Sequence, residues 1–586
     1  MASTAGVLPR VIAGRRRLSR GRMPRGFPAP GSLAVGVAAS LLLYVKMLPD
    51  PAGRTLGSGT GDPAQAMWFL ANFPSAVLHG RNPLVTDFIQ YPSGVNLMWN
   101  ANAPLLDAVA SPVTLPFGPV VALNALLVLG PALTTWTARI WLGRHIANPI
   151  AALLGGLLVG FSGYVVGHGS QHVSLAFAAV LPVILMLIED LLWRRPRPMW
   201  RTGVLLGVAV TAQALIVEEP VLIIAFGLLT AIVGGLLTRP RVTLRAVGGA
   251  WRGASMAVGT FAVLFGYPLW VQFHGGSQLR TLRIAPYVAE PQDWVLPNGQ
   301  QLIGGPSRVD EWATRATGAW EAGGYIGIPL LIAVIVIAVA LRRRWAVQIA
   351  SVAAVLTMLA SLGPRLRIGD NRVGPSLLWA WVSKLPTMQD VLPIRLALAT
   401  SLAVGFLVAV GLDAAAVHLA GRRRAVAIGG LAVSLAFVVP ATEPAGTATN
   451  VPAFFSSRAV RHIPYGAPAL VLPLAAPPTN EMSMLWSATS GARYRDVGGA
   501  AKRPSDSRES TSSPIGTPLV QWATVVVRGP VLPSAAARAQ LRATGIRYVI
   551  VATAYVSAGT VQRVQALVGR PPSWSSGGVV LWQLSR

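Results

Sequence analysis

Apolar residues along this chain gather into long uninterrupted runs instead of alternating with polar ones. About eleven runs of ~15–20 residues occur, close to the ~20 needed to cross ~30 Å of hydrocarbon. They cover 32–48, 119–138, 149–166, 173–192, 202–217, 221–237, 251–270, 323–341, 345–362, 393–412 and 425–439. The stretch 104–118 is also apolar, but its prolines and shortness suggest a re-entrant or interfacial segment, so the count is open by one. Three connections are long, 49–103, 271–322 and 363–392. Beyond Thr442 the pattern changes to short β-rich runs at 469–474, 522–527, 547–552 and 579–584, with helix-like periodicity over 534–544 and 561–568. Strands interleaved with helices predict a small α/β domain, and 502–514, rich in Ser, Pro and charge, reads as a loop within it. The predicted organisation is a leader (1–31), an α-helical polytopic membrane domain (32–440) and a C-terminal α/β domain (441–586).

Composition agrees with this pattern. Hydrophobic residues make up 53% of the 586 and charged residues 12%, against ~25% charge in soluble domains. Ala, Gly, Val and Arg dominate and Lys is scarce, which suggests a bacterial genome rich in G and C. With no cysteine there is no disulfide framework, thiolate zinc site or cysteine nucleophile.

The net charge of +28 is explained by where the Arg residues fall. The leader holds Arg10, Arg15, Arg16, Arg17, Arg20, Arg22 and Arg25 with no acid, and no A-x-A cleavage site follows the first run. Arg then returns in alternate connections: Arg139 and Arg144; Arg194, Arg195, Arg197 and Arg201; Arg239, Arg241, Arg245 and Arg252; Arg342 to Arg344; Arg422 to Arg424. By the positive-inside rule the N-terminus is cytoplasmic and the C-terminal domain lies outside, in a bacterial inner membrane. Thirteen of the sixteen acids before Thr442 then fall on the outer side, the exceptions being Glu189, Asp190 and Asp413.

Candidate chemistry sits at that outer boundary. Asp62 precedes Pro63 and an uncharged amphipathic helix over 63–77, expected to lie in the membrane interface. Asp62 is either an N-cap or a working carboxylate. Asp87 follows in a turn-rich segment of the same loop; the two are either a base-and-metal pair or two solvated turn residues. His168 and His172 have the i, i+4 spacing that puts both on one face of a helix, able to hold a metal or donate to a phosphate, although Gly169 weakens that helix. Glu218 and Glu219 interrupt two apolar runs, as a polar turn or as groups reaching into a cavity. Asp390 and Arg395 open the tenth run; Arg395 either snorkels to the surface or grips a lipid phosphate with its planar fork. No phosphate-cradling Gly-Lys-Ser/Thr loop or dinucleotide fingerprint stands in cytoplasmic context, so inner-face nucleotide-sugar chemistry is unsupported.

The segments Asp62-Pro-x-Gln65, Asn82-Pro-Leu-x-x-Asp87 and Tyr91-Pro-x-Gly-x-Asn96-Leu resemble the GT-C superfamily, in particular uncharacterised actinobacterial members. So does Leu541-Arg-Ala-Thr-Gly-Ile-Arg-Tyr-Val-Ile-Val551 in the tail, as does the whole architecture of long first outer loop, interfacial helix, about eleven spans and outer C-terminal domain. These are integral-membrane glycosyltransferases that use polyprenyl-phosphate sugars. The resemblance implies an inverting transfer to a cell-envelope glycan, lipid or protein acceptor, with no nucleic-acid partner. It implies Asp62 as general base or metal-associated acid, with Asp87 as second catalytic acid. Gln65, His168, His172, Glu218, Glu219, Asp390 and Arg395 are the corresponding substrate-binding candidates. Many members carry two adjacent acids where this chain has one, which leaves a divalent metal an open question. The alternative is a non-catalytic polytopic protein, a lipid-linked sugar transporter or envelope assembly factor, which should place ionisable groups near mid-membrane.

Overall fold

A computed structural model describes residues 29–56, 62–275, 287–304, 321, 323–369, 371–385, 387–475, 482–501 and 517–584. The basic leader and the loop expected at 502–514 lie outside the described residues.

The chain is a multi-pass helical membrane protein. Five helices are long and apolar enough to cross a membrane: Pro119–Leu142, Met199–Ile216, Glu219–Thr238, Trp251–His274 and Pro393–His418. Pro149–Gly160 and Gly163–Gly169, bent by 43° at a short break, make a sixth if they act as one span. Pro30–Leu43, Ile328–Ala340 and Trp345–Ser361 are apolar but shorter. Length and composition thus support five or six spans among the described residues, beside these shorter apolar helices, and the count of eleven is not confirmed. Several of the expected runs are divided for local reasons. The Ser162 hydroxyl accepts from the Val165 amide and starts a new helix inside one apolar run. The run 173–192 is divided into Val173–Ala176, Leu181–Glu189 and the π-helical turn Asp190–Arg194. Pro393–His418 has 89% of its apolar window buried and forms the bundle's centre, whereas Trp251–His274 has 17% buried and runs along its outside.

The first-loop helix, Asp62–Leu78, is covered by protein along most of its circumference, not laid against the membrane interface. It packs on Pro104–Phe117, Pro119–Leu142 and the C-terminal helix Met482–Thr489, and the Trp68 indole donates to Ser487 Oγ at 3.3 Å. Its lack of charge reflects this enclosure, since a helix apolar on all sides is a buried helix.

The C-terminal region folds on a five-stranded sheet ordered Trp574–Ser576, Val579–Gln583, Tyr548–Ala552, Pro468–Leu472, Arg495–Asp496. Pro468–Leu472 runs parallel to both its neighbours and the other pairings are antiparallel. Successive residues of Tyr548–Ala552 serve opposite faces: Val549 and Val551 pack with Leu519, Trp522 and Trp582, while Ile550 packs with Phe454, Phe455 and Trp486. Both faces are covered, so this strand is a continuous apolar run. The β-rich run at 522–527 is not a strand but part of the helix Pro518–Val526. Leu519, Trp522, Ala523 and Val526 are buried at helical spacing on one side, and this packing outweighs the β propensity of Thr and Val. The first loop is stitched to this domain: Arg54–Thr55 pairs with Thr447–Ala448, the Gln90 amide donates to the Gly498 carbonyl at 2.8 Å and the Asp496 amide to the Phe88 carbonyl at 3.0 Å.

Candidate active site

Five separate segments deliver titratable side chains to one place. Asp62 opens the first-loop helix ahead of Pro63. His168 lies on Gly163–Gly169, and His172 stands just past that helix with non-helical backbone. Glu219 starts the span Glu219–Thr238, again directly before a proline. Glu321 belongs to the connection that leads to Ile328–Ala340. Arg395 sits in the 3-10 turn Pro393–Leu396 that feeds the central helix Ala397–His418.

These groups form one connected chain. His172 Nδ1 is 2.7 Å from Asp62 Oδ2. His172 Nε2 faces Glu321 Oε1 at 3.8 Å, and His168 Nε2 meets Glu321 Oε2 at 3.2 Å. The Arg395 guanidinium grips Glu321 through two nitrogens, Nε at 3.1 Å and Nη2, and bonds Glu219 through Nη1. The other Glu219 oxygen accepts from the Leu392 amide at 3.0 Å. His168 is oriented from behind, its Nδ1 2.8 Å from the Tyr164 carbonyl and the Tyr164 ring packed against it at 4.3 Å.

Burial grades along this chain of contacts. Glu321 is 3% exposed and Arg395 12%, while Asp62 is 36% exposed. Desolvation alone would push the Glu321 carboxyl up; the adjacent His168, its hydrogen bond and the Arg395 fork outweigh it and hold Glu321 well below the ordinary carboxylate range. Glu321 is therefore ionised, and Arg395 is matched by two carboxylates. In the arrangement described here Arg395 neither snorkels nor presents an unpaired fork.

Asp87, expected to work beside Asp62, is not brought to this cluster: its carboxylate pairs with Arg495 Nε of the C-terminal domain at 3.2 Å. Glu218 turns toward Gln272, whose Nε2 donates to it at 3.3 Å, and burial raises its carboxyl. Gln65 is buried one turn along the helix from Asp62. Asp390 is half-buried in the turn Met388–Asp390 and makes no ion pair among the described residues; the acids beside Arg395 are Glu219 and Glu321. Glu321 is the member that sequence reasoning missed. Its one signal is position, directly ahead of an apolar run, as with Glu219 and Arg395.

A metal does not fit the described donors. The His pair converges on Glu321 instead of on a common point, Glu321 is taken up by Arg395 and His168, and among the described residues no three His, Asp or Glu side chains are arranged to hold an ion. What the arrangement offers chemically is an exposed carboxylate whose orientation is set by an imidazole, backed by a buried charge network.

No family model and no curated protein matches the sequence. By structure the chain is similar to the oligosaccharyltransferase of Archaeoglobus fulgidus solved with a tethered acceptor peptide, with a TM-score of 0.50 at 12% identity over 93% of this chain and 71% of that one. It is also similar to the arabinofuranosyltransferase AftD from Mycobacteria, with a TM-score of 0.50 at 15% identity over 96% of this chain and 40% of that one. The chain has the GT-C fold. ArnT from Cupriavidus metallidurans aligns over 94% of this chain and 98% of that one, with a TM-score of 0.45 at 12% identity. At such identities the likeness is one of fold. Within the GT-C fold, the residues placed at the ends of the apolar helices are this chain's own, and their roles are argued from their geometry.

Proposed function

We propose that this GT-C chain is a membrane glycosyltransferase that moves a sugar from a polyprenyl-phosphate donor to a cell-envelope acceptor, at the outer face of a bacterial inner membrane. Asp62 takes the proton of an acceptor hydroxyl as the oxygen attacks the anomeric carbon. The bond from that carbon to the phosphate oxygen breaks, its electron pair leaves with the polyprenyl phosphate, and the configuration inverts. The observation that carries this reading is the pairing of exposed Asp62 with His172 at 2.7 Å. With His172 Nδ1–H donating, the imidazole orients the carboxylate. The leaving phosphate displaces Glu219 from Arg395 Nη1, so that the guanidinium meets the negative charge that develops on it.

The fold supports the same reading, since the two proteins aligned at a TM-score of 0.50 are an oligosaccharyltransferase and an arabinofuranosyltransferase. The ionisable groups of the network stand at helix ends and in connections, not at mid-span as a transporter would need. The Arg pattern puts the N-terminus in the cytoplasm and the network and C-terminal domain outside, where that domain helps hold the acceptor.

The test is Asp62→Asn. Asn still accepts the His172 hydrogen bond but takes no proton, so transfer from a polyprenyl-phosphate sugar should fall by ~10²–10⁴ with an unchanged unfolding midpoint. Full activity in this variant would reduce Asp62 to a structural residue.

A further inference from the structure

A cleft of about 530 Å³ opens between the first loop and the C-terminal end of Trp251–His274. Its size is within the ~300–1,000 Å³ of small-ligand sites. Arg81, Asn82, Thr86, Asp87 and Ser93 of the first loop form one wall, and Trp270 stands on the other.

The Trp270 wall is a platform. Tyr267, Trp270 and His274 stack near-parallel along one edge of the outer helix, with centroids 6.4 Å apart at 16° and 5.8 Å apart at 10°. Tyr267 and Trp270 are more than half exposed. An aromatic belt at the membrane surface would also expose such rings, but belt residues need no polar wall. Here Asn82 Nδ2 donates to the Tyr267 phenol at 2.8 Å, while Asn82 Oδ1 accepts from the Leu84 amide at 2.9 Å, so both ends of the amide are set. The opposite wall is equally ordered: Arg81 lies 3.7 Å over the Phe88 ring and donates to the Tyr465 phenol, and Asp87 is held by Arg495 yet stays substantially exposed.

A flat exposed ring facing a carboxylate, an amide, hydroxyls and a guanidinium matches one ligand chemistry well. A sugar ring has an apolar C–H face to lay on indole and a rim of hydroxyls to share with Asp87 and Arg81. We propose that this cleft binds a saccharide unit of the acceptor, with Trp270 as platform and Asp87 as hydroxyl partner. The inference rests on the glycosyltransferase reading for the word acceptor. One wall is tied to the C-terminal domain through Asp87 and Arg495, the approach for a glycan and not for a lipid-anchored donor. It is linked to the network along the chain: Val271 lines it, the next residue, Gln272, bonds Glu218, and Glu218 precedes Glu219.

The experiment uses the purified full chain and four soluble probes, the tetrasaccharides of glucose, mannose, galactose and arabinose, with binding followed by saturation-transfer NMR and calorimetry. At least one should bind the wild type. Trp270→Ala should weaken it about tenfold, and Trp270→Phe by less, as expected for loss of a stacking contact. Asp87→Asn should weaken it too, while Trp251→Ala, at the other end of the same helix, should not. In the transfer assay Trp270→Ala should raise the acceptor KM and leave the donor KM unchanged. Binding of none of the four probes, or equal binding by wild type and Trp270→Ala, overturns the proposal and leaves Trp270 a belt residue. A raised donor KM with an unchanged acceptor KM also overturns it. Probe binding that depends on Trp270 in a protein without transferase activity would keep the cleft and remove the transferase reading instead.

Discussion

At the ends of the membrane helices Glu321 is 3% exposed, and in the C-terminal sheet Asp496 is 1% exposed. Both carboxylates have been taken out of water, and their states are opposite. Glu321 has Arg395 and His168 around it and is held ionised, well below the ordinary range. Asp496 is pushed up to about 7 by burial, offset only in part by hydrogen bonds from the Gly498 and Val471 amides. Backbone dipoles orient a buried acid, but a full cation is needed to keep it charged. The contrast separates a region built to keep charge from one where a carboxylate serves the packing between the sheet and the first loop.

The largest way to break this contrast is to remove the cation. Arg395→Ala leaves Glu219 and Glu321 buried without it, which should cost about 3–5 kcal/mol, read as a lowered unfolding midpoint in detergent, and should abolish transfer. Arg395→Lys should recover part of the stability but little activity, because an ammonium does not reproduce the two-pronged grip on Glu321.

The pH dependence of the sheet domain sharpens the other side. Folded Asp496 keeps its proton to about pH 7, whereas an unfolded Asp loses it near 3.8. The folded state thus binds the extra proton between those values. The stability this contributes is full below about pH 4, falls as pH rises toward 7 and is level above that. Asp496→Asn should remove this fall and raise the unfolding midpoint at pH 8 by a few degrees, on the scale of ~1 kcal/mol in a domain of this size. A wild-type midpoint as flat between pH 4 and 7 as the variant's would show that Asp496 is ionised in the fold.

The smallest effect expected is at Glu219. If the donor phosphate replaces Glu219 on Arg395, Glu219→Gln removes a competitor and should lower the donor KM several-fold, with fold stability little changed because Gln still hydrogen-bonds the guanidinium. A donor KM that rises instead would place the phosphate elsewhere.

Apolar runs longer than any strand requires are helices by local physics alone, so the membrane domain was readable from residue order, as were the strand Tyr548–Ala552 and the helix Ala535–Ala543. Position also singled out Asp62, His168, His172, Glu219 and Arg395, because an ionisable residue at the edge of an apolar run is costly unless it has a partner. The partners themselves were not readable. Asp62 and Asp87 look alike in sequence, two acids of one loop, yet one meets His172 and the other meets Arg495, more than 400 residues away. Glu321 lies in a long connection that also holds Glu290, Asp293, Asp310 and Glu311, and only its contacts with His168 and Arg395 set it apart. The breaks within the apolar runs and the helix at Pro518–Val526 escaped for the same reason: where helices break and which face of a β-prone run is buried depend on neighbours brought in by the fold. Local hydrophobicity is a property of each segment and is written in order along the chain. Charge pairing belongs to segments distant in sequence, and it exists only once the helices have packed.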